Sequence, residues 1–138
     1  SPIDPLFLIP AFVIGFIIAL PLHEIMHALC YPKSATVWIG LCLRKLAAYA
    51  ISYHPLTKTR FVIMSLAPSA LGIIPLALFI VLPISMKPLL TVCFISAFMG
   101  LVSPAPDYMD ILSVINKVPN TAMIQDTPNG LFFYDSAK

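Results

Sequence analysis

Charge is the scarcest property of this chain. Only 10% of its 138 residues are charged, against roughly 25% in an ordinary soluble domain, so a water-soluble globule of this size would lack the polar surface to cover itself. The eight Lys and Arg exceed the six Asp and Glu by two, but they form no run or stripe that could follow a phosphate backbone, which argues against a nucleic-acid partner. Cysteine is scarce as well. Cys30, Cys42 and Cys93 contain no C-x-x-C pair and are odd in number, which excludes a closed disulfide framework and reads as buried thiols. Internal repeats and low-complexity tracts are missing.

What is there is apolar: 59% of the residues are hydrophobic, gathered in long uncharged blocks of the kind that cross a bilayer. The sequence therefore predicts a mainly α, polytopic membrane protein in one domain, residues 1–138, with the lipid bilayer as its solvent. About three transmembrane helices are expected, over 6–30, 61–82 and 89–106. The first block is too long for the apolar part of a cleaved signal peptide. Pro10 and Pro21 should bend the first span, and Pro104 and Pro106 should stop the third just before Asp107. A short amphipathic helix is expected over 108–118.

The segment 31–60 alternates at period two through Val37, Ile39, Leu41 and Leu43, which predicts a strand that 47–53 pairs back onto as a small β-hairpin, although an amphipathic helix fits almost as well. In the tail, 119–138, short strands are expected at 122–125 and 131–134 around Thr127-Pro128-Asn129-Gly130. Trp38, Tyr31, Tyr49 and Tyr53 suit a membrane interface, and Arg60 is expected to snorkel to headgroups. Lys33, Arg44, Lys45, Lys58 and Arg60 lie between the first two spans, against Lys87 alone between the second and third. The positive-inside rule then puts that first loop and the C-terminal tail in the cytoplasm and the N-terminus outside, most simply across the plasma membrane.

Near the end of the first block stands His23-Glu24-Ile25-Met26-His27. On a helix, histidines at i and i+4 project from one face and suit a single tetrahedral Zn²⁺, while the neighbouring Glu24 can reach a water in the ion's open position and act as general base. Ionisable groups are costly inside an apolar span, which makes such a cluster functional by default. The competing assignment has these three residues pair among themselves or mark the helix end at the interface. A catalytic zinc needs a third protein ligand. The first and third spans run in the same direction, so Asp107 and Asp110 fall in the same leaflet as the motif. They are three apart on one helical face, so one can ligate while the other orients a histidine, and Asp107 can alternatively cap its helix. His54 is either an interface residue or a group that supports a tetrahedral intermediate.

Taken together, His23 to His27, Leu66-Ala67-Pro68, Pro106-Asp107 followed by Tyr108-Met109-Asp110-Ile111-Leu112, and Val118-Pro119-Asn120-Thr121-Ala122-Met123-Ile124-Gln125 resemble the putative zincin peptidases, grouped as a domain of unknown function and similar to site-2 protease-like intramembrane metalloproteases. The resemblance covers nearly the whole chain. It implies zinc held by His23, His27 and Asp107, with Glu24 as catalytic acid and base in hydrolysis of a membrane-protein or peptide substrate. It departs from the site-2 protease pattern around the third ligand, where Pro106 and Tyr108 flank Asp107 and no Asn stands upstream, so the oxyanion donor stays unassigned. That group is expected to hold substrate by strand addition, for which Val37, Ile39, Leu41 and Leu43 are the candidate strand. The other function classes are a non-catalytic zinc-binding membrane scaffold, such as an inactive protease homologue, and metal transport, for which three spans offer little polar lining. Oligomeric state leaves no trace.

Overall fold

The computed structural model describes residues 1–135. Three helical runs dominate, Pro5–Leu29, Lys58–Val81 and Ile84–Lys117, each long and apolar enough to cross a membrane. The first consists of α1 (Leu8–Ile17), a π-helical turn (Ile18–Leu22) and α2 (His23–Leu29). Pro10 lies in the first turn of α1, where a missing N–H is tolerated. Pro21 lies inside the π turn, so the wider winding that absorbs the proline comes immediately before His23. The second run joins α3 (Lys58–Leu66) to α4 (Ala70–Val81) through a 3₁₀ turn at Ala67–Ser69. Thr57 caps α3, its hydroxyl accepting the Arg60 N–H at 3.3 Å.

The third run differs from expectation. α5 (Lys87–Val102) breaks at Ser103 and Pro104, and α6 (Ala105–Lys117) begins at once, so the helical run does not end before Asp107 as the two prolines suggested. The reason is positional: a proline in the first turn of a helix removes no hydrogen bond. Pro106 falls there and Asp107 sits beside it in that turn.

α5 is the central helix, packed against α1 on one side and α4 on the other. It meets α4 at Gly72 and Gly100, where a Cβ on Gly100 would lie 2.6 Å from the Gly72 nitrogen. Backbone cannot yield as a side chain can, so Gly100→Ala should destabilise the protein by about 1–3 kcal/mol. Thermal unfolding in detergent checks this, and an unchanged melting temperature would contradict the close crossing. Away from these contacts the helices turn apolar faces outward, with Ile9, Phe12, Ile73, Ile80, Phe94 and Phe98 exposed.

β1 (Trp38–Cys42) and β2 (Ala47–Ile51) form the antiparallel hairpin between the first two runs, with Ile39 opposite Ala50 and Cys42 opposite Ala47. The alternating stretch overran it at both ends. Val37 precedes β1, and Leu43 enters a 3₁₀ turn closed by Leu46 in the left-handed region at φ 47°. The second sheet has the order β3-β4-β5, from β3 (Leu56–Thr57), β4 (Ala122–Thr127) and β5 (Gly130–Asp135). The tail strands are longer than expected and pair through the anticipated turn, whose Gly130 takes φ 123°, a region side chains resist. The two-residue β3 was too short to show in the sequence.

A buried cluster of Leu56, Phe61, Met64, Val114, Val118 and Ile124 fastens this sheet to α3 and α6, with Cys30 and Tyr31 packed on it. The end of the first run, the start of the second and the end of the third thereby meet at one end of the bundle. Basic side chains tie the junction. Lys58 donates to the Val118 carbonyl at 2.7 Å and to the Ile115 carbonyl at 3.3 Å, at the end of α6. Arg60 is exposed, as the headgroup expectation requires, and its Nε also donates to the Cys30 carbonyl at 2.9 Å, beyond the end of α2. All three cysteines are free, Cys93 buried and the other two half-buried.

Candidate metal centre

The π turn delivers α2 with both histidines facing inward, buried at 7% and 9% exposure. Their Nε2 atoms are 3.0 Å apart. The first turn of α6 brings Asp107 Oδ2 to 3.2 Å from His23 Nε2 and 3.3 Å from His27 Nε2. The outer nitrogens explain why these atoms face one another. His27 Nδ1 is 3.0 Å from the Met64 carbonyl, and a carbonyl only accepts, so Nδ1 carries a proton and in the neutral ring Nε2 carries the lone pair. His23 Nδ1 is 3.3 Å from Ser103 Oγ, which can accept in the same way.

Two imidazole nitrogens and a carboxylate oxygen pointed at one another need protons or a metal cation among them to offset the repulsion of their lone pairs. Zn²⁺ fits this donor set in chemistry and in size. With bonds of about 2.0–2.1 Å, tetrahedral ligand atoms are separated by about 3.3 Å, and the three observed separations are 3.0, 3.2 and 3.3 Å. Among the described residues these three make up the group of His, Cys, Asp and Glu side chains that can hold a metal ion. The partners of the ring nitrogens, one from α3 and one from the α5–α6 break, fix the ring orientations as such outer contacts do in metal sites.

The triad opens into a cleft of about 570 Å³ whose walls include Glu24, Ala50, His54, Asp110 and Asp126. Glu24 lies beside the triad without belonging to it, and the backbone N–H of Ala50 faces its carboxylate. Burial pushes the Asp126 carboxyl up from its ordinary pKa, against the opposing pull of the Thr127 N–H. Burial also raises the Tyr31 phenol, and the Asp126 charge adds to that.

The structure thus brings together His23, His27 and Asp107, with Glu24 alongside and with Asp110 and His54 on the walls rather than at the triad. It does not bring Val37, Ile39, Leu41 or Leu43 to the cleft. The neighbouring strand contributes there, through Ala50. Period-two alternation reports that a strand exists, not which strand of a hairpin lies against α2. The sequence also missed Ser103, the Met64 carbonyl, Tyr31 and Asp126. A backbone carbonyl leaves no trace in residue identity, and the proline beside Ser103 was the single hint of a functional break.

The model of a family described as "Putative zincin peptidase" matches residues 16–123. No curated protein and no solved structure matches the chain.

Proposed function

Because the chain belongs to the putative zincin peptidase family, we propose that it is an intramembrane zinc metallopeptidase that hydrolyses peptide bonds of membrane proteins or peptides in or near the bilayer. The observation that carries this reading is the convergence of His23, His27 and Asp107, with Glu24 beside them in one cleft. His23, His27 and Asp107 would hold the zinc, which when bound supplies Lewis acidity toward the scissile carbonyl and the attacking water. Glu24 takes the proton of that water and returns it to the leaving amine. The Ala50 N–H steadies the carboxylate in the orientation this requires. His54 lines the cleft wall and on this reading supports the charge of the tetrahedral species, while Asp110 tunes the site from outside the triad.

An extended substrate would lie along the hairpin. Since Ala50 lines the cleft, β2 is the strand to receive it, with Ile39 and Leu41 of β1 supporting from the outer side. The three apolar runs and their outward apolar faces support a polytopic membrane protein. The cluster of Lys and Arg between the first two runs supports a cytoplasmic site with the N-terminus outside, across the plasma membrane.

The test is elemental analysis of the detergent-purified protein together with comparison of membrane proteins in cells expressing the wild type or Glu24→Gln. About one zinc per chain and cleavage products that depend on Glu24 are expected. Zinc without any Glu24-dependent product would identify a non-catalytic zinc-binding scaffold instead, and no zinc would end the metallopeptidase reading.

A further inference from the structure

The second helical run supplies no ligand, yet it touches both halves of the centre. The Met64 carbonyl of α3 holds His27 through Nδ1 at 3.0 Å. Five residues later Ser69 Oγ lies 2.8 Å from the hydroxyl of Tyr108, the residue after Asp107. The same hydroxyl reaches back to the Leu101 carbonyl at 3.3 Å. A phenol has one proton and a carbonyl only accepts, so Tyr108 donates to Leu101 and Ser69 donates to Tyr108. The turn that carries Ser69 also packs against α2, which bears both histidines.

This chain of two hydrogen bonds spans the α5–α6 break. Pro104 and Pro106 lack the N–H groups that would otherwise meet the carbonyls of Gly100 and Val102, so the ladder that would make one rigid rod of α5 and α6 is interrupted just before Asp107. Side chains must then fix the angle between them. The tolerance is narrow, since metal ligands must be held to within about 0.5 Å and 10–20°. Ser69 is buried at 8% exposure, where water competes little for its hydrogen bond.

We propose that Ser69 and Tyr108 are positioning residues, a clasp that sets Asp107 at binding distance from the two histidines, and that the ligand-free second run is the template on which the centre is assembled. The proposal rests on the zinc reading above. Its test uses the full chain in detergent and two measurements, zinc affinity by competition with a chelator and the visible absorption of the Co²⁺-substituted protein. Tyr108→Phe and Ser69→Ala should each lower zinc affinity about 10–100-fold and shift the Co²⁺ bands.

Thr91→Val is the control. It removes a fully buried hydroxyl from the far end of α5, where Thr91 receives the Asp4 N–H at 2.7 Å and donates to the Lys87 carbonyl at 2.8 Å. It should leave both measurements unchanged. The clasp is overturned if Tyr108→Phe and Ser69→Ala bind zinc as tightly as the wild type with unaltered spectra, or if Thr91→Val weakens binding equally, since general loosening would then suffice. Wild-type protein that binds no zinc would instead fail the metal centre, and the clasp with it.

Discussion

On the proposed mechanism Glu24→Gln should keep about one zinc per chain and lose hydrolysis by about 10²–10⁴-fold, the usual worth of a positioned general base. Glutamine has the shape of glutamate and still offers an oxygen to the Ala50 N–H that faces this side chain, so the hairpin keeps its contact with α2. What it cannot do is take a proton from water. Because Glu24 stands outside the His23–His27–Asp107 triad, metal content should not follow activity downward. Parallel measurement of zinc by elemental analysis and of product formation separates the two. A variant that loses its metal would make Glu24 a ligand, and one that retains full activity would remove it from the chemistry.

The second large effect is on metal affinity. Asp107→Ala removes one of three converging donors and should weaken zinc binding by at least about 100-fold, beyond the 10–100-fold range found for outer partners. Asp110→Ala should hold zinc as the wild type does, because Asp110 lines the cleft without joining the triad. The contrast is sharp because the two aspartates sit on one helix and carry the same charge. A contribution through charge alone would fall off gradually with distance and weaken binding in both variants, whereas coordination confines the large loss to Asp107→Ala. Equal zinc content and affinity in wild type, Asp107→Ala and Asp110→Ala would sink the assignment of Asp107.

The distance between reading a helix and reading a site is visible at Pro104 and Pro106. As residue types they announce an interruption, and there is one. They do not say whether the chain leaves the helix or starts another at once, since a proline that would break the interior of a helix fits its first turn. The consequence is that Asp107 sits in the first turn of α6, aimed across the bundle, rather than ahead of a separate short helix. Arg60 teaches the same lesson from the other side. Its position at the start of an apolar run suggested headgroups, and nothing in the sequence hinted at a further partner, the Cys30 carbonyl 2.9 Å from its Nε, supplied by a residue thirty positions earlier.

Local pattern by itself determined the three apolar runs, the Gly130 turn and the shared face of His23 and His27, and proposed the hairpin between the first two runs beside an amphipathic helix, because hydropathy, period and turn chemistry act over a few residues. It also narrowed the third donor to Asp107 or Asp110, through the common direction of the first and third runs. Tertiary structure alone brought Asp107 rather than Asp110 up to the two histidines, put β2 rather than β1 at the cleft, and supplied the Met64 carbonyl and Ser103 behind the histidines. Those choices depend on the angles at which helices cross and break, set by contacts such as Gly72 on Gly100 and Ser69 on Tyr108, and contacts between residues so far apart in the chain have no signature in the order of a single sequence.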